Sequence, residues 1–348
     1  MKRSRQFFRG CLVGGALGDA LGWPVEFLTR EDIKYTYGDG GITDIIPGLT
    51  GIGEITDDTQ MALFTAEGIL RAEAAAREKG TCVIYDIVYD AYQRWLYTQS
   101  QEISSRIPFN YDGWLIDVRG LHARRAPGMS CISALARGVK GTIEAPVNNS
   151  KGCGGVMRTA PVGLFYEKEQ AFKIAADIAA ITHGHPLGYL PAGALAAIIA
   201  SIIEGMELEA AVQWAVGELK KYDGYEGCTR LMDEAVRLAS SEVKVEDAIK
   251  ELGEGWVGEE ALAISIYCAL KFKGDFKGAL FAAVNHDGDS DSTGAITGNI
   301  LGAYLGMEGI PKDWMKKVEL MDVIIEAADD LLTGYRKDEA WLSKYPVH

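Results

Sequence analysis

The sequence predicts an all-α protein on three observations. Apolar residues recur at three- and four-residue spacing through most of the chain. No long alternation of apolar and polar residues occurs, and the several β-branched runs that an α/β sheet needs are missing. The helical pattern covers residues 57–79, 83–97, 170–182, 191–203, 208–221, 227–239, 259–272 and 313–332. The first of these begins where Thr56, Asp57 and Asp58 suit a helix N-terminus. The uncharged run 186–203 is short for a membrane span and contains Pro191, so it reads as a buried central helix. Residues 42–46 allow at most a short extended piece.

Two further helices carry an unusual pattern. Gly10, Gly14, Gly18 and Gly22 fall every fourth residue, and so do Gly294, Gly298, Gly302 and Gly306. Each set lines one helix face. Glycine costs up to about 1 kcal/mol per helical position relative to alanine, so four in register imply another backbone at close range. Spacing does not say whether the two stripes face each other. If they do, Asp19 and Glu26 come near the acidic residues that precede Gly294. Between the first stripe and Thr56 lies a stretch rich in Gly and Pro, and residues 23–55 are expected to form a lid loop. No convincing linker divides the rest, so residues 1–348 are expected to form a single domain.

Lys plus Arg number 35 against 49 acidic residues, a net charge of −14, which argues against non-specific nucleic-acid binding. The densest basic stretch, Arg119, Arg124 and Arg125, reads as a solvated loop. Six scattered cysteines with no C-x-x-C pair suit reduced thiols and a cytoplasmic setting. Basic residues before the apolar run at 10–18 outline a signal peptide, but Asp19 interrupts it and no clear cleavage site follows. Neither export nor membrane association is expected.

Two acidic clusters carry the chemistry: Thr56-Asp57-Asp58-Thr59 and Asp289-Ser290-Asp291-Ser292-Thr293, each at a helix start. Capping requires one such residue, and each cluster has more than one. Four carboxylates converging on one pocket must take up protons or hold cations. The neighbouring hydroxyls complete a set of hard oxygen donors suited to Mg²⁺ or Mn²⁺, and no His or Cys lies in either cluster to favour zinc. A separate glycine-rich turn, Ser150-Lys151-Gly152-Cys153-Gly154-Gly155-Val156-Met157-Arg158, is of the kind that presents N–H groups to phosphate or simply connects elements. In Thr182-His183-Gly184-His185, one base- or sugar-facing histidine is a better reading than a His–His metal pair.

Taken together, Leu17-Gly18-Asp19, Glu26, Thr56-Asp57-Asp58-Thr59, Gly154-Gly155-Val156-Met157-Arg158, Thr182-His183 and Gly288-Asp289-Ser290-Asp291-Ser292-Thr293 resemble the ADP-ribosylglycohydrolase family, in its order and over nearly the whole chain. The resemblance implies a single compact orthogonal helical bundle with a dinuclear centre of two Mg²⁺ (or Mn²⁺) at helix N-termini. It also implies hydrolysis of the bond between ADP-ribose and an acceptor on a protein or small molecule. Thr56, Asp57, Asp58, Asp289, Asp291 and Ser292 would be metal ligands, and Asp58, Glu26 and Asp289 would serve catalysis. Ser150, Gly152, Cys153, Gly154, Gly155, His183 and Gly128 would contact ADP-ribose. Cys153 departs from the Asn of some members, and Ser292 from the Thr of many. The Asp-Ser-Asp-Ser form is similar to the arginine-directed branch, so ADP-ribosyl-arginine on proteins is the expected substrate. The alternatives are an isoprenoid diphosphate enzyme, against which the missing third acid of a D-D-x-x-D speaks, and a catalytically silent ADP-ribose binder.

Overall fold

The computed structural model describes residues 1–101 and 109–347, and among these no strand forms. The chain runs through α1 (Arg5–Gly22), α2 (Arg30–Tyr37), α3 (Asp57–Lys79), α4 (Ile84–Gln99), α5 (Met129–Leu135), α6 (Ala160–Phe165), α7 (Lys168–Ala180) and α8 (Pro186–Glu204). It continues with α9 (Leu208–Leu219), α10 (Glu226–Ala239), α11 (Val245–Leu252), α12 (Gly258–Lys271), α13 (Phe276–Val284), α14 (Ser290–Leu305), α15 (Lys312–Met315), α16 (Met321–Thr333) and α17 (Glu339–Lys344). The all-α expectation holds, with the periodic segments at 57–79, 227–239 and 259–272 reproduced to within a residue or so.

The two glycine stripes face each other. Gly10 lies against Gly302, Gly14 against Gly298, Gly18 against Gly294 and Gly22 against Ser290, an order that makes α1 and α14 antiparallel. A Cβ on Gly14 would sit 2.3 Å from the Gly298 carbonyl oxygen, and one on Gly298 2.0 Å from that of Gly14. Such spacing admits no side chain at these glycine positions on either helix. Asn299 adds a cross-link, its Nδ2 donating to the Cys11 carbonyl at 2.8 Å. Antiparallel packing sets the C-terminal end of α1, with Asp19 and nearby Glu26, against the N-terminal end of α14.

Two predicted elements differ from those observed. The segment at 313–332 breaks into α15 and α16 because the backbone between them is used elsewhere. Gly53 N–H donates to the Lys317 carbonyl at 2.6 Å, Glu319 N–H donates to the Gly53 carbonyl at 3.0 Å, and Leu320 takes a left-handed φ of 54°. The buried helix predicted from 191 begins at Pro186, where proline suits a first turn. Pro191 sits inside it, among almost wholly buried neighbours. By length and composition α8 could cross a membrane, but it is packed among the other helices.

The basic stretch is also reassigned in part. Arg119 and Arg124 are exposed, as a solvated loop requires, but Arg125 is buried. Its guanidinium donates to the Ile55 carbonyl and pairs with Glu319 and Glu54, pinning the approach to Thr56. The segment 23–55 is no structureless loop. It contains a 3₁₀ turn at Trp23–Val25 and helix α2, and Val25, Ile33, Ile42 and Ile45 are buried. Ile42 pairs through its backbone with the Asn285 amide instead of with a strand.

Candidate metal centre

Thr56 caps α3, its side chain accepting the Asp58 N–H at 3.3 Å, and Asp289 caps α14, accepting the Ser292 N–H at 3.4 Å. Capping therefore accounts for one residue of each cluster. It leaves Asp57, Asp58 and Asp291 in the first turns of two helices whose positive ends meet at the same place.

One residue outside both clusters holds the first in position. Asp19 is fully buried and accepts from the Thr56 hydroxyl at 2.9 Å, the Thr59 hydroxyl at 2.5 Å, and the N–H groups of both threonines. The signal for it was the single acid of a glycine-striped helix. Thr56 gives its proton to Asp19 and one lone pair to Asp58 N–H, which leaves one lone pair for a cation.

Glu26, Asp289 and Asp291 each offer a carboxylate oxygen, and the three oxygens lie within 4.8 Å of one another. Asp58 and Asp57 are buried beside them. Glu26 Oε2 and Asp58 Oδ1 are buried with no hydrogen-bond partner. Asp57 is better served, since its Oδ2 accepts the Gly128 N–H at 3.1 Å. Burial first and mutual repulsion second push Glu26 up to about 9. Burial pushes Asp57 up to about 7, and Asp58 and Asp291 well above the usual carboxylate range. Orphaned, buried carboxylate oxygens converging from two helix ends fit a hard divalent cation, which would supply the charge the protein lacks here.

Tertiary structure adds a sulfur that neither cluster contains. The Cys153 thiol donates to Asp289 Oδ2 at 2.7 Å, and the Ser292 hydroxyl approaches the same sulfur at 3.6 Å. Burial, reinforced by Asp289 and Asp58, pushes the thiol well above its ordinary pKa. Without a metal Cys153 is therefore a neutral donor to Asp289.

The glycine-rich turn stands beside this centre. Cys153–Gly155 forms a 3₁₀ turn in which the Gly152 N–H is used on Ser150 Oγ at 3.3 Å and the Cys153 N–H on the Trp256 carbonyl at 3.2 Å. These two N–H groups are thus engaged within the protein. Ser150 Oγ also shares a proton with Ser130 Oγ at 2.8 Å. A Cβ on Gly152 would lie 3.4 Å from His183 Nε2, and one on Gly154 3.3 Å from His183 Cε1, so the turn rests on the imidazole. Burial, with the Arg158 charge, lowers the His183 pKa to about 3, so the ring is neutral. Arg158 Nη2 donates to Thr182 Oγ1 at 2.7 Å, and Thr182 Oγ1 shares a proton with His183 Nδ1 at 2.8 Å, so the imidazole is held with its Nε2 edge toward the turn. Gly128 lies exposed at the edge and is tied to the centre through Asp57.

Helices alone, a glycine-packed central pair and a carboxylate pocket at two facing helix starts define the class: all-α proteins with an acidic centre suited to a divalent cation. A sequence model of the ADP-ribosylglycohydrolase family matches residues 1–340, and the chain belongs to that family of hydrolases. It is 30% identical to an uncharacterized protein of Archaeoglobus fulgidus, across 93% of this chain and 95% of the relative. It is 27% identical to the ADP-ribosylhydrolase ARH3 of Bos taurus, over 91% and 90% of the two chains. The identity is also 27% to the ADP-ribosyl-[dinitrogen reductase] glycohydrolase of Rhodospirillum rubrum, over 89% and 90%. A solved ADP-ribosylglycohydrolase-related protein complex superposes with a TM-score of 0.67 at 25% identity, covering 94% of this chain and 98% of that one. Family membership leaves the isoprenoid alternative without support.

Proposed function

We propose that this protein is a Mg²⁺-dependent hydrolase that releases ADP-ribose from a modified acceptor, with ADP-ribosyl-arginine on proteins as its substrate. The observation that carries this reading is the convergence of Glu26, Asp289 and Asp291, with buried oxygens of Glu26 and Asp58 lacking partners, in a member of this family. A relative from Serratia proteamaculans, 27% identical over 93% of this chain, is named an ADP-ribosylarginine hydrolase, which supports the choice of acceptor.

Thr56, Asp57, Asp58, Asp289, Asp291 and Ser292 would hold two Mg²⁺, with Mn²⁺ as a substitute. Bound there, the cations would lower the pKa of water and orient the ribose hydroxyls. Asp58 or Glu26 takes the proton of the attacking water as it adds to the anomeric carbon. The surrounding carboxylates stabilise the positive charge that develops on the sugar as the acceptor leaves. Asp289, braced by Cys153 and by the first turn of α14, keeps its carboxylate aimed inward. Ser150, the turn at Gly152–Gly155 and His183 would receive ADP-ribose, with Gly128 at the edge. Segment 23–55, which carries Glu26, would act as the lid.

Release of ADP-ribose from arginine-linked, serine-linked and small-molecule conjugates, measured with Mg²⁺, with Mn²⁺ and with chelator, tests the assignment. Arginine-linked substrate should be cleaved with metal and spared with chelator. Release from none of the conjugates would overturn the assignment.

A pH dependence accompanies the cation. Glu26, Asp57 and Asp19 (about 6) have folded pKa values raised above their unfolded ones. Raised carboxylates contribute stability below the unfolded pKa and lose it as pH climbs through the folded one. Chelated protein is therefore expected to melt progressively lower from about pH 5 to about pH 9. Mg²⁺ competes with those protons, so the gain in melting temperature on adding it should widen with pH. A gain that is constant or shrinks with pH, by thermal denaturation at both ends of the range, would contradict the assignment.

A further inference from the structure

We propose that Phe27 and Trp256 form an aromatic wall on the acceptor side of the carboxylate centre and select a cationic, guanidinium-bearing acceptor. This rests on the hydrolase reading above and names the residues that choose its substrate. Both rings are large and left in water, Phe27 at 66% and Trp256 at 39% exposure, where Tyr35 and Tyr111 are the only other exposed aromatic residues among those described. They stack on each other with centroids 6.0 Å apart and planes 19° from parallel.

Each ring is attached close to the centre from a different side. Phe27 follows Glu26, whose carboxylate joins Asp289 and Asp291. The Trp256 carbonyl accepts the Cys153 N–H, and the Cys153 thiol in turn reaches Asp289. Two residues earlier, the Glu254 carbonyl accepts the Asp289 N–H at 2.9 Å. The pair thus joins the segment carrying Glu26 to the loop that steadies Asp289.

The mutual stack accounts for one face of each ring. The exposed surface that remains has no use in the fold. A guanidinium is planar, delocalised and weakly hydrated, and it packs on aromatic faces as a neutral hydroxyl side chain does not. The surroundings favour the same charge. A groove of about 1060 Å³ is lined by Thr29 and Arg30, just past Phe27, and by Glu254, just before Trp256. Seven acidic side chains line it against three Lys and Arg, so a cation approaching along it meets a favourable field.

A plain latch between lid and loop would need the same contact but would not discriminate among acceptors. Calorimetric binding of ADP-ribosyl-arginine and of ADP-ribose, with Mg²⁺ and in an Asp58→Asn background that blocks turnover, separates the two. The arginine conjugate should bind more tightly than ADP-ribose. Phe27→Leu and Trp256→Leu, which keep an apolar side chain but lose the aromatic face, should reduce that preference by about 2- to 30-fold, whereas Phe27→Tyr and Trp256→Phe should preserve it. Equal weakening of both ligands would leave only a latch and overturn the proposal. An unchanged preference in the leucine variants, or no preference to begin with, would overturn it as well. A wild-type protein that shows the preference but cleaves nothing would refute the hydrolase reading alone, and failure of the wild-type protein with Mg²⁺ to bind either ligand would refute both.

Discussion

Asp58→Asn is expected to lower turnover by about 10²- to 10⁴-fold while leaving the folded protein intact or more stable. The side chain is 3% exposed, its Oδ1 has no partner, and burial holds its pKa well above the usual range. In the metal-free protein the carboxylate is therefore a source of strain on the ionised state, and an isosteric amide removes it. On the proposed mechanism the same change would remove a negative metal ligand and one of the two groups that would take the water's proton. Activity and thermal stability should move in opposite directions or independently. A variant that keeps more than about a tenth of wild-type kcat would remove Asp58 from the mechanism. One that fails to fold would show that the carboxylate is structural.

Gly298→Ala should be among the most damaging single substitutions outside the centre, at a cost of about 3 kcal/mol or more. The added methyl would stand 2.0 Å from the Gly14 carbonyl oxygen and 2.5 Å from its carbon, and backbone cannot rotate aside as a side chain would. Relief requires α1 and α14 to separate or slide. Either movement carries Asp19 and Glu26 away from Asp289 and Asp291, so weakened Mg²⁺ binding should accompany the loss in denaturant stability. Gly217→Ala, on α9 with nothing near its Cβ, is the control and should be neutral or slightly stabilising. Comparable stability for the two variants would mean that the close helix contact is not what the glycines serve.

The parts of the fold that could be read from the chain were those governed by local rules. The periodicity at 57–79 gives α3 with its bounds, because the cap at Thr56 and the amphipathic repeat both lie within the segment. The split between α15 and α16 was not legible. It is caused by Gly53, more than 250 residues away in sequence, taking the backbone groups of Lys317 and Glu319. The burial of Arg125 has the same origin, since Glu54 and Glu319 meet it only after folding. A local charge count has no access to such partners.

At the centre the division is finer. Residue types alone singled out the acids of both clusters, because several carboxylates at helix starts exceed what capping explains, whereas Glu26 entered only through the glycine stripes and the family resemblance. Their convergence depends on the antiparallel fit of two glycine stripes, and the sequence supplies the stripes but not the knowledge that each is the other's partner. Only the tertiary structure brought the Cys153 thiol to Asp289, gave Asp19 its hold on Thr56 and Thr59, and placed Phe27 against Trp256. By itself the sequence determined which side chains carry charge and which helix faces admit close approach, since both are properties of single residues and their spacing. The folded chain decided which charges share a pocket, and that depends on distances between residues as far apart as 19 and 56 or 26 and 289.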